Sequence, residues 1–333
     1  CIRDRNYPKA VITKALRRVW PGVVWSPVSP TRYATLPDTA LPGPRWVRVL
    51  NRQCGICASD LTILNVSIDP GVSLAALPGY GRFFLGHEVV SNVVETGAEV
   101  TLVETGDRVI MDTRIIGPTC LSQEITPLCR TCAAGDFAHC ENQSMGKGPL
   151  GVGGGWGDGY TAHESEIFKV PDDLSDDQAV LVEPASVAAR AVLRRIPKPA
   201  DHIQVLGCGN IGLLTTRVAR IVAPESHISV MARYPHQVEM AHRMGADEVI
   251  ASGDGYREAA RVTGGRLYTG LLNNKTLLGG FDVIYDIVGT RITVRNSLRW
   301  ARAGATVVLV GISPTMLNTD ISPIWHQEVD LIG

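Results

Sequence analysis

The chain has 333 residues, 45% of them apolar and 20% charged, and 32 basic against 33 acidic side chains leave a formal charge of -1. At roughly 150 residues per domain this is material for two domains. The composition excludes disorder and coiled coil, and the balanced charge without a Lys/Arg block excludes a nucleic-acid footprint.

No apolar run approaches the ~18 to 20 residues that cross a bilayer, and the start lacks a secretory layout, so the expectation is a cytoplasmic protein with no membrane partner. The first residue is Cys1 rather than Met, which reads as a trimmed chain. Eight cysteines are too few for a disulfide scaffold, and four of them crowd between 120 and 140, which reads as metal.

From residue 1 to about 183 the chain shows short β-like runs broken by Gly and Pro, with strands expected at Trp46–Leu50, Glu88–Val94, Asp107–Met111 and Ile167–Val170. Within this half, Cys57, His87 and Glu183 supply a thiolate, an imidazole and a carboxylate, the donor types of a catalytic zinc with one open position. By spacing alone they read equally as a buried thiol, a core imidazole and a helix-capping carboxylate. Cys54 reads as a packed thiol.

Between Cys57 and His87, the side chains of Leu64, Leu74, Leu77, Tyr80 and Phe84 either wall a pocket or pack a local core. Trp156, in the glycine-rich stretch 151–159, either touches ligand or simply packs.

After Pro197-Lys198-Pro199, apolar strands alternate with helical stretches, the pattern of a parallel sheet covered by helices. Six strands are expected, at Ile203–Leu206, Ile228–Met231, Glu248–Ala251, Asp282–Asp286, Thr306–Val310 and Val329–Ile332, with clear helices at Ile211–Val222 and His236–Met244. The first strand runs through Gly207-Cys208-Gly209-Asn210-Ile211-Gly212 into a helix. In such a G-x-G-x-x-G turn the first glycine makes the bend, the second admits pyrophosphate and the third lets helix meet strand.

At the end of the second strand, where an acid would hold the ribose hydroxyls of NAD, the chain has Ala232, Arg233 and Tyr234. Removing the acid and offering a guanidinium favours the 2'-phosphate of NADP, with NAD possible if Arg233 is only a solvated surface residue.

The ordered set G-I-C-x-S-D at 55–60, G-H-E at 86–88, G-D-R-V at 106–109, E-P-x-S-V at 183–187 and the glycine turn resembles the zinc-dependent medium-chain alcohol and polyol dehydrogenases over nearly the whole chain. The resemblance implies an α/β protein. A GroES-like, β-rich catalytic domain (1–184) is followed by a Rossmann domain (185–333) with a doubly wound parallel sheet of six strands, and the active site lies between them. It makes Cys57, His87 and Glu183 the ligands of a catalytic zinc, with Glu88 able to enter or leave the coordination sphere and Asp60 fixing the His87 tautomer. Ser59 falls where the family keeps the hydroxyl that accepts the alcohol proton. Thr62 stands where many members have a relaying His, so the relay runs shorter or through water and Glu88.

Cys120-x8-Cys129-x2-Cys132-x7-Cys140 resembles the family's structural-zinc lobe, except that Thr126 occupies the usual first position and Cys120 lies upstream. A longer loop brings Cys120 in at a cost of only about 0.6 kcal/mol per doubling of length. The alternatives are another fourth ligand, His139 being near, or free thiols.

The implied reaction is hydride transfer between NADP(H) and a secondary alcohol or polyol and its ketone or aldehyde, by a homodimer or homotetramer. Glu183, in place of a cysteine, favours a polar substrate. The rivals are a zinc-free quinone or enoyl reductase of the same superfamily and a non-catalytic cofactor-binding protein. Family members continue for several tens of residues past the sixth strand to complete the first domain. A chain that ended here is expected to be unstable there or to lean on a partner.

Overall fold

Valines around one tyrosine build the centre of the first half. In the computed structural model, which describes residues 2–4, 6–37, 39–73, 82–112, 118–143, 151–250 and 254–333, strand β1 (Trp46–Cys54) buries Trp46, Val47 and Val49 completely. It pairs antiparallel with β2 (Val89–Thr96), which is followed by β3 (Arg108–Met111), β4 (Gly159–His163) and β5 (Ile167–Lys169). The five form one antiparallel sheet in the order β4-β1-β2-β3-β5. Val47, Val49, Val89, Val93, Val109 and Tyr160 share its core, and each fully buried Val contributes about 1.5–3 kcal/mol.

The strands Ile2–Asp4, Thr31–Arg32 and Arg82–Phe84 form a separate small sheet. The helix Tyr7–Leu16 precedes it in part and was not expected, although Asn6 caps it and Pro8 sits at its start, both ordinary start signals. Chain contacts divide the protein into two compact units, Cys1–Glu183 and Pro184–Gly333.

In the second unit the six strands are β6 (His202–Leu206), β7 (His227–Met231), β8 (Glu248–Ile250), β9 (Phe281–Asp286), β10 (Ala301–Leu309) and β11 (Asp330–Ile332). All pairs are parallel, in the order β8-β7-β6-β9-β10-β11, the doubly wound dinucleotide arrangement. Buried runs such as Val283-Ile284-Tyr285 are apolar on both faces because helices cover both.

Ala251, the expected end of β8, lies outside the described residues. Strand β10 starts five residues earlier than its apolar run, since the Arg302-Ala303-Gly304 stretch carries no periodic signal. A hairpin of Arg266–Thr269 and Lys275–Leu278 between β8 and β9 also went unread. Among the described residues, no helix is long and apolar enough to cross a membrane.

Candidate active site

Strand β1 ends at Cys54, and Gly55-Ile56 carry the chain to Cys57, which caps helix α1 (Ala58–Leu64). On the partner strand, His87 and Glu88 immediately precede β2. The pairing Cys54↔Val89 therefore delivers Cys57 from one arm and His87 and Glu88 from the other to one place. One donor atom each from Cys57, His87 and Glu88 lies within 4.8 Å of the others. Gly55 makes this possible, because a Cβ there would sit 2.1 Å from the Glu88 Oε2.

Asp60, buried in the first turn of α1, reaches His87 Nδ1 at 3.3 Å and accepts the Gly86 N–H at 2.9 Å. Ser59 Oγ stands 3.4 Å from His87 Nε2. Burial works against the His87 imidazolium, but Asp60 and Cys57 outweigh it and hold the ring pKa up at about 10. The hydrogen bond to His87, against opposing burial, keeps the Cys57 thiol below its ordinary value. Burial, and after it the charge of Glu183, push the Glu88 carboxyl up. Excess negative charge around one imidazole is what a divalent cation relieves, and the S, N and O donors fit zinc.

Glu183, in the first turn of helix α2 (Val182–Arg194), acts on Glu88 electrostatically but does not join the three donors within 4.8 Å. The compact set thus contains Glu88, the residue expected to enter or leave the coordination sphere. Burial pushes the Cys54 thiol up to about 12, and its Sγ donates to Gly55 O at 3.2 Å, so Cys54 is a packed thiol.

Leu64 is buried and Phe84 belongs to the small sheet, while Leu74, Leu77 and Tyr80 lie outside the described residues. Trp156 packs on backbone: its N–H donates to Leu85 O at 2.9 Å and its ring Nε1 to Gly55 O at 3.4 Å.

The four lobe cysteines also converge, their sulfurs all within 4.8 Å, with Cys120 completely buried. Cys120 and Cys140 sulfurs are 3.7 Å apart, close to the ~3.8 Å edge of a tetrahedron with Zn–S bonds of about 2.3 Å. Hydrogen bonding from Thr131 and neighbouring N–H groups holds Cys129 at about 5. His139 turns away to Asp136, at 2.8 Å.

In the second unit, Gly207 bends at φ +108°, and a Cβ there would meet Val288. Gly209 caps helix α3 (Asn210–Val222) and has nothing within 4 Å of where a Cβ would be, leaving room for a phosphate at the helix start. A Cβ on Gly212 would fall 1.9 Å from Gly207 O, so helix and strand meet there. Asn210 and Ile211 open the helix. Ala232 is buried after β7, whereas Arg233 and Tyr234 are exposed, their backbone N–H groups held by Gln237 Oε1.

Residues 43–172 match the alcohol dehydrogenase GroES-like domain and residues 210–333 the zinc-binding dehydrogenase domain. The chain is 28% identical to L-idonate 5-dehydrogenase of Vitis vinifera over 297 residues, which is 87% of this chain and 73% of the relative. It is 26% identical to D-arabinitol dehydrogenase 1 of Uromyces fabae over 282 residues, 84% of this chain and 72% of that one. A Sinorhizobium meliloti 1021 protein assigned to the zinc-binding dehydrogenases and solved with NADP superposes with a TM-score of 0.68 at 26% identity, covering 88% of this chain and 78% of that one. The chain belongs to the zinc-dependent medium-chain dehydrogenase family and is an oxidoreductase.

Proposed function

We propose that this oxidoreductase transfers hydride between NADP(H) and a polar secondary alcohol or polyol and its carbonyl partner, with one zinc at Cys57, His87, Glu183 and Glu88 and a second in the cysteine lobe. The observation that carries the reading is the convergence of Cys57, His87 and Glu88 from two paired strands. Bound there, zinc supplies the Lewis acidity that brings an alcohol's pKa toward neutrality, and the nicotinamide supplies the hydride acceptor.

The chain's own residues do the rest. Asp60 accepts the Nδ1 proton of His87 and leaves Nε2 as the donor to metal. Ser59, beside that nitrogen, accepts the alcohol proton while passing its own on, through water, toward Glu88. Glu88 and Glu183 put two carboxylates at the site, which favours a hydroxyl-rich substrate over an apolar one. The open Gly209 and the α3 N-terminus hold the pyrophosphate, and Arg233 with Tyr234 faces the adenosine end, where the missing acid leaves space for a 2'-phosphate. The polyol dehydrogenases among the relatives and the NADP in the Sinorhizobium structure support this reading.

The test is a panel of polyols and simple secondary alcohols with zinc-loaded protein, NADP and NAD. Turnover with polyols that chelation abolishes is expected. Turnover indifferent to zinc removal, or none with any alcohol, overturns the reading.

A further inference from the structure

Asn51 lies three residues upstream of Cys54 on β1, directly opposite Ser91 on β2. Its side chain is fully engaged. Asn51 Oδ1 accepts the Ser91 hydroxyl at 2.9 Å, and its Nδ2 donates to Gly154 O at 2.9 Å and Gly157 O at 2.8 Å, with Gly155 O at 3.3 Å. Its backbone N–H donates to Asp158 O at 2.8 Å. One amide thus ties the two strands that carry the metal donors to the 154–157 turn.

That turn grips both arms. Gly155 N–H donates to Gly86 O at 2.8 Å and Trp156 N–H to Leu85 O at 2.9 Å, next to His87. The Trp156 ring reaches Gly55 O at 3.4 Å, two residues before Cys57. There is no slack: a Cβ on Gly155 would lie 2.5 Å from Cys54 Sγ, and one on Gly86 would lie 2.4 Å from the Trp156 ring. Gly55 N–H in turn donates to Glu88 O at 2.7 Å, closing the circuit between the arms.

We propose that Asn51 is a positioning residue which, through the 154–157 turn and Trp156, sets the spacing of the Cys57 arm and the His87–Glu88 arm around the metal. The carbonyls of Gly154, Gly155 and Gly157 converge on one point and need a double N–H donor there. A side chain that accepts instead sets its own lone pairs against these oxygens and takes the donor from the carbonyls of the buried Gly154 and Gly155 and the exposed Gly157, which weakens the hold on the turn. The proposal rests on Cys57 and His87 holding metal, as in the proposed function, and gives Asn51 no contact with substrate or cofactor.

The test compares wild type with Asn51→Asp, which keeps the size and removes the donors, and Trp156→Phe, which keeps an aromatic side chain and removes the indole bond to Gly55. Three readings are taken: release of metal from the Cys57 site to a chelator, with the lobe's share fixed in a Cys57→Ala control; the visible spectrum of the cobalt-substituted protein; and kcat and KM for alcohol and cofactor. For Asn51→Asp, roughly 10- to 100-fold faster release is expected, the scale on which supporting shells act. A shifted thiolate–cobalt band and a lower kcat, at a cofactor KM within about twofold of wild type, should accompany it. Trp156→Phe moves the same readings less.

A folded Asn51→Asp with wild-type release and spectrum overturns the proposal while leaving the metal reading intact. If Asn51→Asp does not fold, unchanged readings in Trp156→Phe overturn it instead. Wild-type protein that takes up no metal at Cys57 fails the underlying reading and, separately, removes the ground for this one.

Discussion

Asp60 Oδ1 lies 3.3 Å from His87 Nδ1 and, in the same geometry, accepts the N–H of Gly86 at 2.9 Å. One buried carboxylate therefore orients the imidazole and the backbone that delivers it. Asp60→Asn keeps the shape and loses the charge that raises the His87 pKa. Zinc affinity at this site should fall by roughly 10- to 100-fold, measured by chelator competition, with the melting temperature little changed. Unaltered affinity would show that the contact is only structural.

Cys120 is the lobe cysteine whose spacing departs from the usual pattern, and it is the most buried of the four. On the proposed reading of one zinc in each site, Cys120→Ser should lower metal content from about two zinc per chain to about one. It should also lower the melting temperature by several degrees, since a closed thiolate site contributes folding energy outright. His139→Ala should keep both ions, because that ring is engaged with Asp136. Atomic absorption on the two variants separates four thiolates from three with a histidine.

The Rossmann half was readable because its strands are continuous apolar runs with a glycine turn at the right place. Strands β6, β7 and β9 begin one residue before their expected starts and β10 five, because Arg302, Gly304 and the alanines around them interrupt its apolar pattern. The hairpin Arg266–Thr269/Lys275–Leu278 was missed because its alternation is weak and its connection, through Leu271 and Leu272, is apolar and exposed.

In the first half, motif chemistry picked out Cys57, His87 and Asp60, yet nothing in the spacing says that Glu88 lies nearer to them than Glu183 does. That depends on the Cys54↔Val89 register and on the missing Cβ of Gly55, both of them tertiary facts. Asn51 was passed over for the same reason. A polar residue in a strand that buries Trp46, Val47 and Val49 was the available signal.

Arg233 follows the buried Ala232 and is exposed at the end of β7. Arg233→Ala should raise the KM for NADP roughly tenfold or more, the scale of a charge-assisted hydrogen bond, and leave that for NAD nearly unchanged. Ala232→Asp should move preference further toward NAD by restoring the acid that binds ribose hydroxyls and repels phosphate. Equal KM changes for both cofactors would mean that Arg233 does not read the 2'-phosphate.

Glu164 is completely buried yet ionised. Its Oε2 accepts the N–H groups of Thr101 at 2.7 Å and Leu102 at 3.0 Å, and its Oε1 meets Arg45 at 2.6 Å. Burial opposes the charge, but these donors outweigh it and hold the carboxyl below its ordinary 4.5. A folded pKa below the unfolded one gives stability that is fully present above about pH 4.5 and is lost as pH falls through the folded value. Glu164→Gln should therefore cost about 2–3 kcal/mol near neutral pH, where a charged acceptor is replaced beside Arg45. The deficit should shrink as pH drops below 4.5, where wild type takes up the proton that the variant never needs. Denaturant midpoints for both proteins at pH 7, 5 and 3.5 check this. Parallel curves would mean that the Arg45 pair and the two N–H groups contribute nothing that depends on charge.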